Sequence, residues 1–425
     1  MEQTAGEDTK TVSTAPDLVE DEVFCPEMGI TTQTGFGLTL VNSIIMRIVQ
    51  IGPYPLERGR ICGGVEASVF GLAQEQSRHN EVHVFDVPRI EGVDGVEHDG
   101  EVCVHRFRNT GRRQVSTSRQ VKRMAEEICV LRPDICHIHG TGLFSWLMYK
   151  KLKGKKQKTI VTVHGLVRIE KRNILKKGLT LKRIGQYLYQ GQVEKRLLSQ
   201  LPIAIVDTEY VKDMVGAYPI HKKPVMHVVP QGIDEDYFTL HCSNDSDVFL
   251  SVGAIAERKG HLLTLKSFEQ LRKAGVRARL VIAGTVASQL YLELLQKAIR
   301  ESEYREDVIL HTDLSGRELK ALYGEARVFV LHTEEESQGI VFSEAMATGL
   351  PVVSTRVGGV PYVVEHGNNG LLSSYGDLTA FSQNMQCLLD DAGKWQAMSK
   401  AAKTASQKYH WMCICERIMQ LYRSV

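Results

Sequence analysis

Two carboxylates set eight residues apart carry the densest chemical signal in this chain of 425 residues. They are Glu336 and Glu344, in the segment EESQGIVFSEAMATGLPVVSTRVGGVPYVV. The segment reads as a loop over Glu336, Gln338 and Gly339, then a helix over 340–348. A glycine ahead of a helix lets the backbone approach a ligand closely. The first N–H groups of a helix have no partner inside it, so those of Ile340 and Val341 are free donors for an anion. Glu344, one turn in, can accept hydrogen bonds from ribose hydroxyls, and Glu336, just outside, can reach a sugar. Taken alone, the same pair also fits a buried structural carboxylate and a solvated loop acid.

Such residues need a scaffold, and the pattern supplies two. Short apolar runs recur from Met46 onward: RIVQIG, EVHVFDV, CVHRF, DICHIHG, KTIVTVHG, LPIAIVDT and MHVVPQG. Helical patterns such as RQVKRMAEEICVLR lie between them. Uniformly apolar strands alternating with helices predict a parallel sheet covered on both faces. After a polar stretch the alternation restarts with VFLSVGAI, ARLVIAGT, DVILHTD, ARVFVLHT and PVVSTRVG. The predicted class is α/β, with two Rossmann-like, doubly wound parallel-sheet domains facing across a cleft. Ligands of such folds bind beyond the C-terminal ends of the strands. The expected divisions are an acidic mobile extension over 1–45, a first domain over 46–235 and a linker over 236–247. A second domain follows over 248–400, and a helix over 401–425 packs back on the first domain.

With 43% hydrophobic and 24% charged residues, the body of the chain can build real cores and is not a disordered chain. No apolar run approaches the ~18–20 residues of a membrane-spanning helix, and the polar, acidic start reads as lacking a secretory leader. Nine dispersed cysteines read as free thiols in a reducing compartment. No zinc-ligand spacing occurs, so no metal is expected. His137 and His139 alternate on one strand and share a face. The Asp-x-Asp patterns at 234–236 and 245–247 read as solvated acids near the linker. Net charge is −7 over 1–45, +11 over 46–235 and −2 over 236–425. Residues 150–197 hold 15 Lys and Arg against Glu170 and Glu194, mixed with Leu, Ile and Tyr. That composition suits phosphate-bearing partners or an anionic membrane surface. A cytoplasmic protein, peripheral at the inner membrane face, is expected. No nucleic-acid-reading module is present.

The segment around Glu336 and Glu344 resembles the E-x7-E region of retaining glycosyltransferases of family 4, which have the GT-B fold. Five further stretches resemble that family in order: MRIVQIGPYP with GGVE at 63–66, DICHIHG at 134–140, TVHGL at 162–166, VVPQGID at 228–234 and SVGAIAERKG at 251–260. The resemblance implies a nucleotide-diphosphate sugar as donor, no cofactor, and a glycan or lipid-linked acceptor. It places Glu344 on the nucleotide ribose and Glu336 on the donor sugar. Ile340, Val341 and Lys259 would hold the diphosphate, and His164 would sit beside the transferred sugar. Gly63 and Gly64 would let the first domain approach the donor phosphates and the acceptor. Two positions depart from the family. Ala254 stands where it has arginine, leaving Arg258 to supply that charge, and Gln338 stands where it favours phenylalanine. A nucleotide-sugar epimerase, a phosphorylase and a non-catalytic nucleotide-sugar sensor share the fold and are the alternatives. No pyridoxal-phosphate lysine site supports the phosphorylase.

Overall fold

The computed structural model describes residues 23–25, 30–32, 45–57, 61, 63–87, 94–108, 113–167 and 180–425. Two compact units emerge, Met1–Ser43 and Ile44–Val425. In the first, β1 (Val23–Cys25) and β2 (Ile30–Thr32) form an antiparallel pair. An antiparallel strand pair thus stands inside the stretch expected to be mobile. The rest of 1–44 lies outside the described residues.

The second unit contains two sheets. Strands β3 (Arg47–Gly52), β4 (Glu81–Asp86), β5 (Gly95–Asp99), β6 (Val102–Arg106), β7 (Ile135–His139), β8 (Thr159–Val163), β9 (Ile203–Val206) and β10 (Val225–Val228) build the first. Its order is β10-β9-β8-β7-β3-β4-β6-β5, parallel except where β5 meets β6. Its helices are α1 (Gly64–Ser77), α2 (Arg113–Leu131), α3 (Leu143–Gly154), α4 (Leu181–Leu198) and α5 (Glu209–Gly216). The second sheet is wholly parallel. It takes β11 (Val248–Val252), β12 (Arg279–Gly284), β13 (Val308–Thr312), β14 (Val328–Leu331), β15 (Val352–Thr355) and β16 (Gly370–Ser373), in the order β13-β12-β11-β14-β15-β16. Around it lie α6 (Asp236–Thr239), α7 (His261–Lys273), α8 (Gln289–Glu301), α9 (Gly316–Glu325), α10 (Ile340–Ala347), α11 (Val360–Val363), α12 (Leu378–Asp390) and α13 (Ala392–Ser406). Strand order reverses between β3 and β7 in one sheet and between β11 and β14 in the other. Those two reversals are the crevices where doubly wound sheets hold ligands.

Strand burial follows from the sequence. All five residues of β11 and of β7 are buried, as covered parallel strands require. Side chains alternate between two cores. Val49 and Ile51 enter the core shared with α2 and α3, whereas Ile48 enters the core shared with α1. The same alternation puts Gln50, His137, His139, Thr162 and Asp207 on the α1 face. A row of polar groups therefore runs across four strands near the first crevice.

Two expected boundaries differ in detail. Within 236–247, Tyr237 on α6 is buried in the second domain's core with Ile233. Asp234 and Asp236 are solvent-exposed, as expected, and both also pair with Lys320, at 2.7 and 2.5 Å. The final helix is α14 (Trp411–Ser424), not a run from 401. The Ser406 hydroxyl and Gln407 amide donate to the Lys403 carbonyl, competing for the helix's own acceptors, and α13 ends. A short 3-10 turn over Gln407–Tyr409 then leads into α14. From there α14 lies on α1, and Trp411 fills space that any side chain at Gly71 or Gly232 would occupy. Beside that indole the two chain crossings touch: Ile233 N–H donates to the Tyr409 carbonyl (3.0 Å), and Ile233 bridges His410.

Candidate active site

At the second crevice, β11 leads through Gly253 into a 3-10 turn over Glu257–Lys259. Gly260 closes that turn with φ +64, and its backbone lies so close to the His332 carbonyl that a Cβ would overlap it. Both facts demand glycine there. The turn aims Lys259 back over the end of the sheet, its stem running along Gly253. Across the reversal, the loop after β14 brings Glu336. The Lys259 ammonium donates to Glu336 Oε1, and both side chains are nearly buried. Thr333 also donates to that oxygen (3.3 Å). Arg258 is half-buried, and its carbonyl anchors Glu334 N–H (2.8 Å) and the Thr333 hydroxyl (3.1 Å).

Gly339 stands before α10 with φ +80 and offers no side-chain cap. The N–H groups of Ile340 and Val341 are thus without an intrahelical partner, as at every uncapped helix start. One turn in, Glu344 accepts from the Tyr323 hydroxyl at 2.8 Å. Desolvation pushes its carboxyl up to about 7, Asp234 adds to the rise, and the Tyr323 bond and Lys320 oppose it. The side chain nevertheless retains some surface exposure. A carboxyl in that state gains from any ligand that donates hydrogen bonds to its ionised form.

Gln338 binds no ligand-facing space. Gln231 N–H donates to its Oε1 (2.8 Å), and its Nε2 donates to the Gln231 carbonyl (3.2 Å). The amide therefore clamps the loop after β10 to the loop before α10. Two further bonds reinforce this clamp. Thr208 donates to the Ser337 carbonyl (2.9 Å), and Tyr210 donates to Glu335 (2.8 Å). The first domain thus grips the loop that carries Glu336.

The first crevice contributes Gly63, Gly64 and His164. Gly63 is extended and precedes α1. A Cβ on Gly64 would come within 3.3 Å of the Ile340 side chain, so the glycine loop faces the start of α10. His164 is buried with both ring nitrogens engaged: Nδ1 lies 3.0 Å from Asp207 Oδ2, and Nε2 lies 3.0 Å from His139 Nδ1. Burial and two histidine neighbours hold His139 well below the usual histidine range, so it is neutral. Its Nε2 faces the Gln50 side-chain oxygen (2.8 Å) and donates there, leaving Nδ1 to accept from His164. Gln50 in turn donates to Gln76 (2.7 Å) and to Tyr422 of α14 (3.0 Å), whose hydroxyl also meets His137 (2.7 Å).

The structure brings Lys259, Glu336, Gly339, Ile340 and Val341 to one crevice, with Gly64 opposite. It does not leave His164 free beside that space; an internal relay holds it. Sequence reasoning missed Asp207 and Gln231. Gln231 donates to Asp207 Oδ2 (2.6 Å), while Asp207 Oδ1 and Gln231 Oε1 are buried without a partner among the described residues. The available signal was Asp207's place two residues after inward-facing Ile205.

Comparisons with known proteins agree with this architecture. Residues 62–237 match the family described as Glycosyltransferase Family 4, and residues 233–405 match Glycosyl transferases group 1. The D-inositol 3-phosphate glycosyltransferase of Xylanimonas cellulosilytica is 26% identical over 308 residues, 68% of this chain and 71% of that one. Sucrose-phosphate synthase from Thermosynechococcus elongatus superposes with a TM-score of 0.73 at 19% identity, over 89% of this chain and 98% of that one. An Anabaena protein in complex with UDP-glucose gives 0.69 at 16% identity, over 89% of this chain and 100% of that one. At such identities the two structures speak for the fold alone.

Proposed function

Because this chain belongs to glycosyltransferase family 4 and has the GT-B fold, we propose that it moves a sugar from UDP-sugar to an acceptor hydroxyl with retention of anomeric configuration. One observation carries the reading: the Lys259–Glu336 pair lies at the strand-order reversal, with Gly339 and the uncapped start of α10 in the same loop. UDP-sugar is put first among the donors to test, since the Anabaena protein of the same fold is in complex with UDP-glucose, and the screen below decides the base.

The diphosphate lies against the N–H groups of Ile340 and Val341 and competes with Glu336 for Lys259. Glu336, so released, accepts hydroxyls of the donor sugar. Glu344 takes the ribose hydroxyls. Breaking the bond between the anomeric carbon and the phosphate oxygen leaves negative charge on UDP. Lys259, Arg258 and the start of α10 stabilise it, so the positive charge comes from the protein and no metal is called for. The acceptor oxygen attacks the oxocarbenium-like carbon from the face the phosphate leaves. Its proton passes to the departing phosphate oxygen. His164 is a positioning residue here: it orients Asp207, and the free oxygens of Asp207 and Gln231 accept the incoming hydroxyl.

The acceptor is proposed to carry phosphate or to lie at an anionic membrane. Among the described residues no helix is long and apolar enough to cross a membrane. On α4, however, Leu181, Leu188 and Tyr189 are exposed near Lys195 and Arg196. Residues 168–179 of the basic stretch lie outside the described residues. Binding to anionic but not neutral vesicles is expected.

The deciding experiment screens UDP, GDP, ADP, CDP and dTDP sugars for thermal stabilisation, then follows diphosphate release with candidate acceptors. Stabilisation and turnover with a UDP-sugar, and an unchanged anomeric configuration by proton NMR, are expected. Binding without turnover across soluble and lipid acceptors would instead mark a sensor.

A further inference from the structure

Away from the crevices, the far edge of the first sheet gathers His83 on β4 with Cys103 and His105 on β6. Strand pairing, not sequence spacing, assembles them. His83 stands opposite Cys103 in the parallel register of β4 and β6, and His105 follows two residues later on the same face. His83 Nδ1, Cys103 Sγ and His105 Nε2 all lie within 4.8 Å of one another. We propose that these three side chains bind a zinc ion.

The distances support this coordination. Zinc holds nitrogen at ~2.0–2.1 Å and sulfur at ~2.3 Å, so tetrahedral ligands sit about 3.4 Å apart for two nitrogens and about 3.6 Å for nitrogen and sulfur. Here the two imidazole nitrogens are 3.0 Å apart, and Sγ is 3.6 Å from His105 Nε2. A shift of a few tenths of an ångström opens the seat. Two imidazoles and a thiolate favour zinc over the hard divalent ions.

The surroundings fit as well. The other nitrogen of His83 lies 3.0 Å from Glu81 Oε1, and the Arg47 guanidinium lies 2.7 Å from the same oxygen. A carboxylate on the outer nitrogen of a metal-binding histidine fixes its tautomer and aims its ligand nitrogen. His105 is stacked on Phe85, with ring centroids 4.2 Å apart and planes within 12°. His83 is buried, but Cys103 and His105 keep partial exposure, giving the ion a way in. On β5 the exposed His98 pairs directly with Cys103, on the same face. The site would tie β4 to β6 near the sheet edge.

The test uses the full chain after chelator treatment. Cobalt(II) should give a thiolate-to-metal charge-transfer band at one ion per chain, and zinc should abolish it by displacement. Cys103→Ser should remove the band, whereas Cys129→Ser, a thiol outside the cluster, should keep it. Glu81→Gln should weaken zinc binding ~10–100-fold while keeping the band. Zinc should raise the melting temperature of the wild type but not of Cys103→Ser. Matching far-UV circular dichroism and melting of the metal-free variants shows that each is folded. His105→Gln, read by zinc competition with a chromophoric chelator, gives an independent arm should Cys103→Ser fail to fold. No stoichiometric binding by the wild type, or a band that survives Cys103→Ser, would overturn the proposal.

Discussion

The two crevices use their polar groups differently. In the first, His164, His139, Gln50 and Tyr422 bond to each other in a closed relay reaching the last helix. In the second, Lys259 and Glu336 are opposite charges held together, while burial pushes the Glu344 carboxyl up to about 7. In the first crevice the relay fixes the imidazoles and leaves Asp207 Oδ1 and Gln231 Oε1 as its unpartnered oxygens among the described residues; the second is poised, because a ligand can exchange its partners. Orientation and charge exchange are thus divided between two domains.

The largest expected effect breaks the poised half. Lys259→Ala leaves Glu336 buried and unpaired, a change of ~3–5 kcal/mol in stability, and lowers kcat/KM for the donor by ~100-fold or more. The double variant Lys259→Met with Glu336→Gln should recover the stability in urea melts without the activity. Recovered turnover would remove the ion pair from the mechanism.

Glu344→Gln should weaken donor binding ~10–100-fold. It should also stabilise the ligand-free protein at pH 8. The sign follows from the raised carboxyl. Folding carries no cost from it below the unfolded value of ~4.5, where both states are protonated. The cost grows between there and about 7 and is complete above. Melting at pH 5 and pH 8 should therefore show a clearly larger advantage for the variant at the higher pH. An equal advantage at both would refute the desolvated carboxylate.

The relay half should respond in rate rather than affinity. His164→Ala is expected to lower turnover ~10–30-fold while leaving the donor Kd, by calorimetry, within ~2-fold. A matching loss of donor affinity would move His164 into the donor site. The smallest effect belongs to Gln338→Ala. It removes two hydrogen bonds between the domains, ~1–2 kcal/mol together. A drop of a few degrees in melting temperature measures it, with donor Kd little changed.

Much of this was legible in the sequence because it is local. The parallel strands announce themselves as uninterrupted apolar runs, and Gly339 with its following helix is contiguous. Lys259 and Glu336 are 77 residues apart, and each lies in the segment after a strand beside the same reversal, so their meeting follows once the strand order is known. Asp207 and Gln231 were not legible, since their pairing depends on how one loop folds over another. Gln338 replaces the family's phenylalanine beside the donor position, but its amide is engaged by a backbone that only the packed domains bring near. The break after Ser406 was hidden because Ser and Gln side chains compete with a helix without forbidding it. The His83, Cys103 and His105 cluster depends wholly on register between strands 20 residues apart in the chain.

The paired crossings at Ile233 and Tyr409–His410 have a mechanical consequence. A single strand between two bodies lets them swivel in every direction. Two adjacent strands make a hinge, about which the bodies can turn but against which they resist twist and slide. His410 adds stiffness by stacking on Phe238, with ring centroids 3.5 Å apart, and by bonding Glu235 at 2.7 Å. Rotation about that axis is the least hindered relative motion such a double crossing leaves, and it is the one that would carry the Gly64 loop toward or away from α10.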